Sequence, residues 1–83
     1  MSAVRKRSVT IRGHRTSFSL EDAFFDIIAA MAKSDGLSLS AQICLIDEAR
    51  GRETNLSSAL RLAALRWAVS SQYAVTESAP DPA

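Results

Sequence analysis

Five basic residues lie within the first fifteen positions of this chain, and no acidic residue accompanies them. They are Arg5, Lys6, Arg7, Arg12 and Arg15, so this segment carries a charge of +5. Residues 16–83 hold the other five bases and all nine acids, a balance of −4. A basic segment on a mildly acidic body predicts an arm that contacts a polyanion such as nucleic acid. The alternative is that these charges only keep a poorly ordered segment in solution.

The other reactive side chains do not form the pattern that a catalytic site needs. His14 is the only histidine and is expected in a turn, while Cys44 lies among aliphatic residues and is expected to be a buried, inert thiol. The carboxylates at 21–22 and 47–48 are adjacent on helices, so their side chains diverge by about 100°. No metal-ligand spacing, phosphate-binding glycine loop or nucleophile motif is present. The sequence therefore predicts that the chain is not an enzyme and needs no cofactor or metal.

These side chains must be positioned by local structure, and the first elements expected are two strands. Residues 8–12 and 14–20 alternate between polar and apolar types, which is typical of half-buried strands. Gly13-His14 is predicted to form a two-residue hairpin turn, with glycine in the first central position as in a type II′ turn. In that register Val9 opposes Phe18, and both side chains lie on the same face of the sheet.

Capping residues predict three helices after the strands. Ser19 and Asp22 have the arrangement of a capping box, with an N-cap hydroxyl and an acid three positions later. Gly36 suits the left-handed position that ends a helix, and Ser38 and Asn55 suit N-caps. The helices are accordingly expected at about 20–34, 38–50 and 56–72.

The third predicted helix is apolar around most of its circumference. One apolar stripe has 3.6-residue spacing and consists of Leu56, Leu60, Ala63, Ala64 and Trp67. Further aliphatic residues widen it, namely Leu62, Leu65 and Val69. We expect so apolar a helix, in so small a protein, to contact more than its own core. The domain organisation expected is a flexible basic arm at 1–7, a folded domain at 8–72 and a disordered tail at 73–83.

The order strand, helix, helix resembles the MetJ/Arc-like ribbon-helix-helix family of DNA-binding proteins, of the short bacterial type with an extra C-terminal helix. The resemblance is carried by the alternating strand, the capped helix and the turn DGLSLS at 35–40, all within residues 15–50, and by NLSSALR at 55–61. It implies an α+β, mostly helical fold with an N-terminal strand or hairpin and then three helices. It further implies a homodimer whose subunits share an antiparallel sheet.

The resemblance also implies where DNA is contacted. A two-stranded ribbon enters the major groove and its outward residues reach base edges. On this chain the outward positions are Arg15, Ser17 and Ser19. The start of helix 2 is implied to hold a phosphate on its free backbone amides, with the hydroxyls of Ser38 and Ser40 beside them. The basic residues expected to contact phosphates are Arg5, Lys6, Arg7 and Arg12.

The function expected from these features is that of a small transcriptional regulator bound to double-stranded DNA as a homodimer. The lone cysteine and the lack of a secretory signal or membrane-length apolar run indicate a cytoplasmic protein without membrane contact. The alternative is a protein–protein interaction module, antitoxin-like or adaptor-like, that binds another polypeptide through the apolar third helix. The expected upstream strand at 8–12, if it pairs within the chain, would widen the sheet beyond a minimal ribbon.

Overall fold

The computed structural model of the protein describes residues 4–51 and 53–78, which form a two-stranded sheet and three helices. The elements in chain order are β1 (Val4–Ile11), β2 (His14–Glu21), α1 (Asp22–Asp35), α2 (Leu39–Ala49) and α3 (Leu56–Ser78). The strands are antiparallel neighbours in one sheet. This architecture confirms the expected α+β, mostly helical fold, and the hairpin forms within one chain.

The hairpin turn lies at Arg12-Gly13, so the predicted turn at Gly13-His14 is wrong by one residue. Ile11 pairs with His14, and Arg12 and Gly13 have φ angles of 50° and 81°. Positive φ at both central residues is the mark of a type I′ turn, whose twist matches that of the flanking strands. The shift makes Val9 oppose Thr16 instead of Phe18. Because it moves the pairing by an even number, the paired residues stay on their expected faces, and only Arg12 leaves the strand for the turn.

The first helix begins at Asp22, and Ser19 is not its N-cap as predicted. β2 continues to Glu21, which occupies the N-cap position without a side-chain hydrogen bond. The backbone of Ser19 is committed elsewhere, because its amide donates to the hydroxyl of Ser57 on α3. Tertiary contacts therefore extend the strand past the point at which the local capping signal starts a helix.

The other predicted caps are confirmed. Gly36 ends α1 in the left-handed conformation, with φ of 70°, and its amide donates to the carbonyl of Lys33. The Ser38 hydroxyl accepts from the amide of Ala41 at 3.1 Å. Asn55 Oδ1 accepts from the amide of Ser58 at 2.8 Å. Each cap satisfies backbone groups that have no partner inside the helix.

Both segments predicted to lack structure are ordered in part. β1 begins at Val4, because residues 4–7 pair with β2, so the flexible arm expected at 1–7 is wrong for those positions. Helix α3 runs past the predicted end at 72 to Ser78, since no glycine or proline interrupts the sequence before Pro80. Residues 1–3 and 79–83 lie outside the described part of the chain.

The core is formed where the inner face of the hairpin meets the three helices. Leu20, Ile28, Ile43 and Leu60 are fully buried and come from β2, α1, α2 and α3 respectively. Burying each such side chain contributes roughly 1.5–3 kcal/mol. Phe18 is also buried, as the alternation in the sequence predicts. In the described residues no helix is long and apolar enough to cross a bilayer.

Candidate nucleic-acid interface

The hairpin turns one face toward solvent, and this face carries basic and hydroxyl side chains. The exposed members alternate with the core residues of each strand and are Lys6, Ser8 and Thr10 of β1 with Arg15 and Ser17 of β2. We refer to these five residues as the outer face. Cross-strand pairing places Ser8 opposite Ser17 and Thr10 opposite Arg15. Glu21, at the end of β2 on the same side, is paired with Arg61, so the outer face suits an anionic, hydrogen-bonding partner.

Arg15 is positioned across the outer face by a contact with the neighbouring strand. Its Nη2 donates to the hydroxyl oxygen of Ser8 at 3.1 Å. Within the described residues it forms no ion pair. A guanidinium has five N–H donors, so most of them stay available to a ligand. This arrangement is suited to bidentate hydrogen bonding with a guanine edge or a phosphate.

Arg5 and Arg7 lie on the opposite, inner side of β1 and are occupied by an intramolecular partner. Both arginines form ion pairs with Asp22 at the start of α1. Arg5 Nε lies 3.3 Å from Asp22 Oδ1, and the Arg7 guanidinium contacts the same oxygen. The Arg7 guanidinium also lies over the ring of Phe25, 3.9 Å from its centroid. The structure therefore does not bring these two predicted phosphate ligands to the outer face.

Arg12 is likewise paired, although it occupies the turn. Its Nη2 lies 3.3 Å from Glu48 Oε2 and 3.9 Å from Asp47 Oδ2 at the C-terminal end of α2. The positive φ of Arg12 comes from the two-residue turn, and the ion pairs direct its side chain toward α2. Three of the five clustered bases thus face carboxylates of this chain, and the positive charge of the outer face comes from Lys6 and Arg15.

The third predicted base-reading residue, Ser19, is fixed by α3. Its amide donates to Ser57 Oγ at 2.9 Å, and its carbonyl accepts from Arg61 Nη2 at 3.5 Å. Arg61 Nε also donates to Glu21 Oε1 at 3.0 Å. This hydrogen bond, helped by a backbone N–H, holds the pKa of Glu21 below its usual value. Ser17 is exposed and Ser19 only half-buried, so Ser17 is the more accessible of the two.

The start of α2 lies beside the outer face. A cleft of about 470 Å³ is lined by Ser40 together with Ser8, Thr10 and Arg15. The hydroxyl of Ser38 is used as the cap of α2, whereas Ser40 is exposed at the second position of the helix. A helix N-terminus carries partial positive charge. The cleft therefore joins a hydrogen-bonding helix end to the basic hairpin.

Ser8 and Thr10 were not among the residues singled out from the sequence as DNA ligands. The sequence feature that could have identified them is their alternation with Val9 and Ile11, which predicts that they lie on a polar face. The predicted hairpin also put this face beside Arg15, but its register was off by two positions; the structure places Thr10 opposite Arg15 and Ser8 opposite Ser17. Arg12 was expected on the same polar face, but the turn removes it because the turn lies one residue earlier than predicted.

Comparison with known proteins identifies the architecture. The family model described as "Ribbon-helix-helix domain" matches residues 4–68, which span both strands, α1, α2 and the first half of α3. No curated protein and no solved structure matches the chain.

Proposed function

This chain belongs to the ribbon-helix-helix family, a family of DNA-binding proteins, and from that membership we propose that it is a small transcriptional regulator acting as a homodimer on double-stranded DNA. Its proposed activity is non-covalent binding of DNA, without catalysis and without a cofactor. It acts in the bacterial cytoplasm, where its DNA is accessible.

The observation that supports this function best is that Lys6 and Arg15 of the outer face have no carboxylate partner among the described residues. Lys6 supplies a point charge for phosphate, and Arg15 supplies a planar donor set. Phosphate contacts provide most of the affinity of DNA-binding proteins, whereas contacts to base edges provide specificity. Lys6 is assigned to the first role and Arg15, with Ser17, to the second. Serine hydroxyls discriminate bases weakly, so the sequence preference is modest.

The sheet contacts the major groove through its outer face. A two-stranded ribbon fits the groove, which is about 12 Å wide. Because each copy already contains two strands, a dimer that shares one sheet has four, and only the central pair enters the groove. The flanking strands and the α2 N-terminus, with Ser38 and Ser40, then face the phosphates on either side. Arg5, Arg7 and Arg12 contribute to phosphate binding only where DNA displaces their carboxylate partners.

A salt titration on duplex DNA tests the proposal. Lys6 and Arg15 form no ion pair among the described residues, which gives two available cations per copy and four per dimer. The slope of log K against log salt concentration is therefore expected to be about −3.6. A protein that stays unbound at low salt, or whose affinity does not change with salt, would contradict DNA binding. The measurement is fluorescence anisotropy of a labelled duplex with the full chain.

A second candidate function is favoured by the solvent side of α3. Leu62, Leu65 and Val69 are 45%, 52% and 56% exposed, at the spacing of one helix face. Exposed apolar stripes of this kind mark protein interaction sites. In this function α3 binds another polypeptide, as an antitoxin or adaptor does. A stoichiometric protein that co-purifies from the native host, and that is lost when Leu65 is replaced by Ser, would favour it over DNA alone.

A further inference from the structure

The cleft between the hairpin and α2 has the size of a small-molecule site. Its volume is about 470 Å³, and pockets that bind small ligands have volumes of roughly 300–1,000 Å³. Both strands, α1 and the first turn of α2 contribute residues to its walls. A DNA phosphate at Ser40 would contact only the polar rim of this cleft. Its interior therefore has no ligand assigned to it.

The rim carries a cation that is available to a ligand. Two arginines, Arg7 and Arg15, line the cleft, and among the described residues no carboxylate does. Arg7 is bound to Asp22 and covers the ring of Phe25. Arg15 forms no ion pair in the described part of the chain and donates only to the hydroxyl of Ser8. A single unpaired guanidinium matches the charge of one carboxylate, which it can bind through two parallel hydrogen bonds.

The first turn of α2 supplies further donors to the same rim. The hydroxyl of Ser38 occupies the amide of Ala41, whereas the amides of Leu39 and Ser40 have no acceptor among the described residues. The side chain of Ser40 is exposed and lines the cleft. The positive end of the helix dipole also favours a negative charge at this position. A carboxylate in the cleft can therefore receive hydrogen bonds from two elements, β2 and α2.

The interior of the cleft is apolar. Val9, Phe25 and Leu39 line it, and each packs against the core while keeping part of its surface accessible. Phe18 and Ile43 lie behind them in the buried core. An anion without an apolar body would leave this surface in contact with water, whereas a hydrocarbon body would cover it. A few convergent polar groups over an apolar floor are typical of small-molecule sites.

We propose that this cleft binds a small aromatic carboxylate, and that this ligand competes with DNA. The carboxylate lies between Arg15 and the first turn of α2. The aromatic body packs on Val9, Phe25 and Leu39, because aromatic rings pack favourably against one another and against aliphatic side chains. The ligand thus uses the charge of the rim and the apolar floor together.

The competition rests on the proposed DNA-binding function, in which Arg15 and Ser40 contact the duplex. A bound carboxylate occupies both residues and neutralises the guanidinium. Lys6 is then the remaining available cation of the outer face, which gives two per dimer. The slope of log K against log salt concentration is therefore expected to change from about −3.6 to about −1.8 when the ligand is bound. By linkage, DNA weakens the binding of the ligand by the same factor.

Calorimetry with three probes tests the site on the full chain without DNA. Naphthoate has both the carboxylate and the aromatic body, naphthamide has the body without the charge, and acetate has the charge without the body. We expect naphthoate to bind about tenfold or more tightly than either of the others, as a charged hydrogen-bond pair implies. Equal affinities of naphthoate and naphthamide, or no binding of naphthoate at millimolar concentration, would overturn the proposal.

Three variants locate the ligand. Arg15→Ala is expected to weaken naphthoate binding about tenfold. Ser40→Glu places a carboxylate at the rim, in a helix turn that accepts one readily, and should abolish binding. Arg66→Ala is the matched control, because Arg66 is exposed and lines a different cleft, of about 250 Å³, between α2 and α3. A loss with Arg66→Ala as large as that with Arg15→Ala would move the ligand out of the proposed site and refute it. Far-UV circular dichroism checks that each variant is folded.

Anisotropy of a labelled duplex, with and without naphthoate, tests the competition, and acetate at the same concentration controls for ionic strength. Duplex affinity that is unchanged by saturating naphthoate would overturn the competition. The result is separable from that of the proposed function. Naphthoate binding by a chain that ignores duplex DNA would support the carboxylate site and discard the regulator. Duplex binding by a chain that does not bind naphthoate would do the reverse.

Discussion

The hydroxyl of Ser57 accepts a hydrogen bond from the amide of Ser19 at 2.9 Å, although 38 positions of sequence separate the two residues. This contact attaches the first turn of α3 to the edge of β2. It supplies an acceptor to a strand amide that β1 does not reach. Through its backbone, Ser19 therefore links β2 to α3.

Ser57→Ala is expected to destabilise the protein by about 1 kcal/mol, because the partly buried amide of Ser19 loses its acceptor. Ser58→Ala is the matched control, since the neighbouring hydroxyl makes no hydrogen bond among the described residues and only its amide is capped by Asn55. Urea unfolding followed by far-UV circular dichroism measures both variants. Equal losses of stability would mean that the Ser57 contact contributes nothing specific.

Protonation of Glu21 is expected to weaken the attachment of α3 at acidic pH. Arg61 lowers the pKa of Glu21 in the folded state, so the stability from this pair is present above the ordinary value of 4.5. It is lost as the pH falls from there through the lowered pKa. Glu21→Gln should flatten this part of the curve of unfolding free energy against pH. Glu53→Gln, an exposed change in the loop before α3, should leave it unchanged.

Arg15→Ala is expected to relax base preference, with a loss of roughly 1–3 kcal/mol of discrimination between the best duplex and a scrambled one. Lys6→Ala is expected to weaken binding to every duplex alike and to make the salt slope shallower by about 2 for a dimer. Lys33→Ala removes the same charge from the last turn of α1 and serves as the control. Indistinguishable profiles for the Arg15 and Lys6 variants would contradict the division of their roles.

Substitutions of Ser38 and Ser40 are expected to have different effects, because Ser38 caps α2 whereas Ser40 is proposed to contact phosphate. Ser38→Ala removes the cap of α2 and should cost about 1 kcal/mol of stability. Ser40→Ala should leave the stability unchanged, because its exposed hydroxyl makes no hydrogen bond among the described residues, yet it should weaken DNA binding at the cleft. Thermal unfolding and duplex anisotropy are measured on both variants. Unaltered DNA binding by Ser40→Ala would remove this residue from the interface.

The local features of the fold follow from the sequence because the groups involved are close along the chain. Gly36, Ser38 and Asn55 satisfy helix ends within a few positions, so residue type and spacing suffice to predict them. Alternation likewise assigned Phe18 and Leu20 to the buried face of β2. The family resemblance rested on the same short-range patterns, and the match over residues 4–68 confirms it.

The tertiary structure decided those features in which a residue could either follow its local sequence signal or contact a residue distant in sequence. Ser19 had a local signal for a helix cap, but Ser57 and the pairing with β1 keep it in the strand. Arg5 and Arg7 belong to a basic segment that the sequence predicts to be a flexible arm. In the folded chain β1 pairs with β2, and both arginines form ion pairs with Asp22. A sequence lists the charges and hydroxyls, whereas only the folded chain shows which of them face each other. The outer face of Lys6, Ser8, Thr10, Arg15 and Ser17 is what remains after those pairings are made.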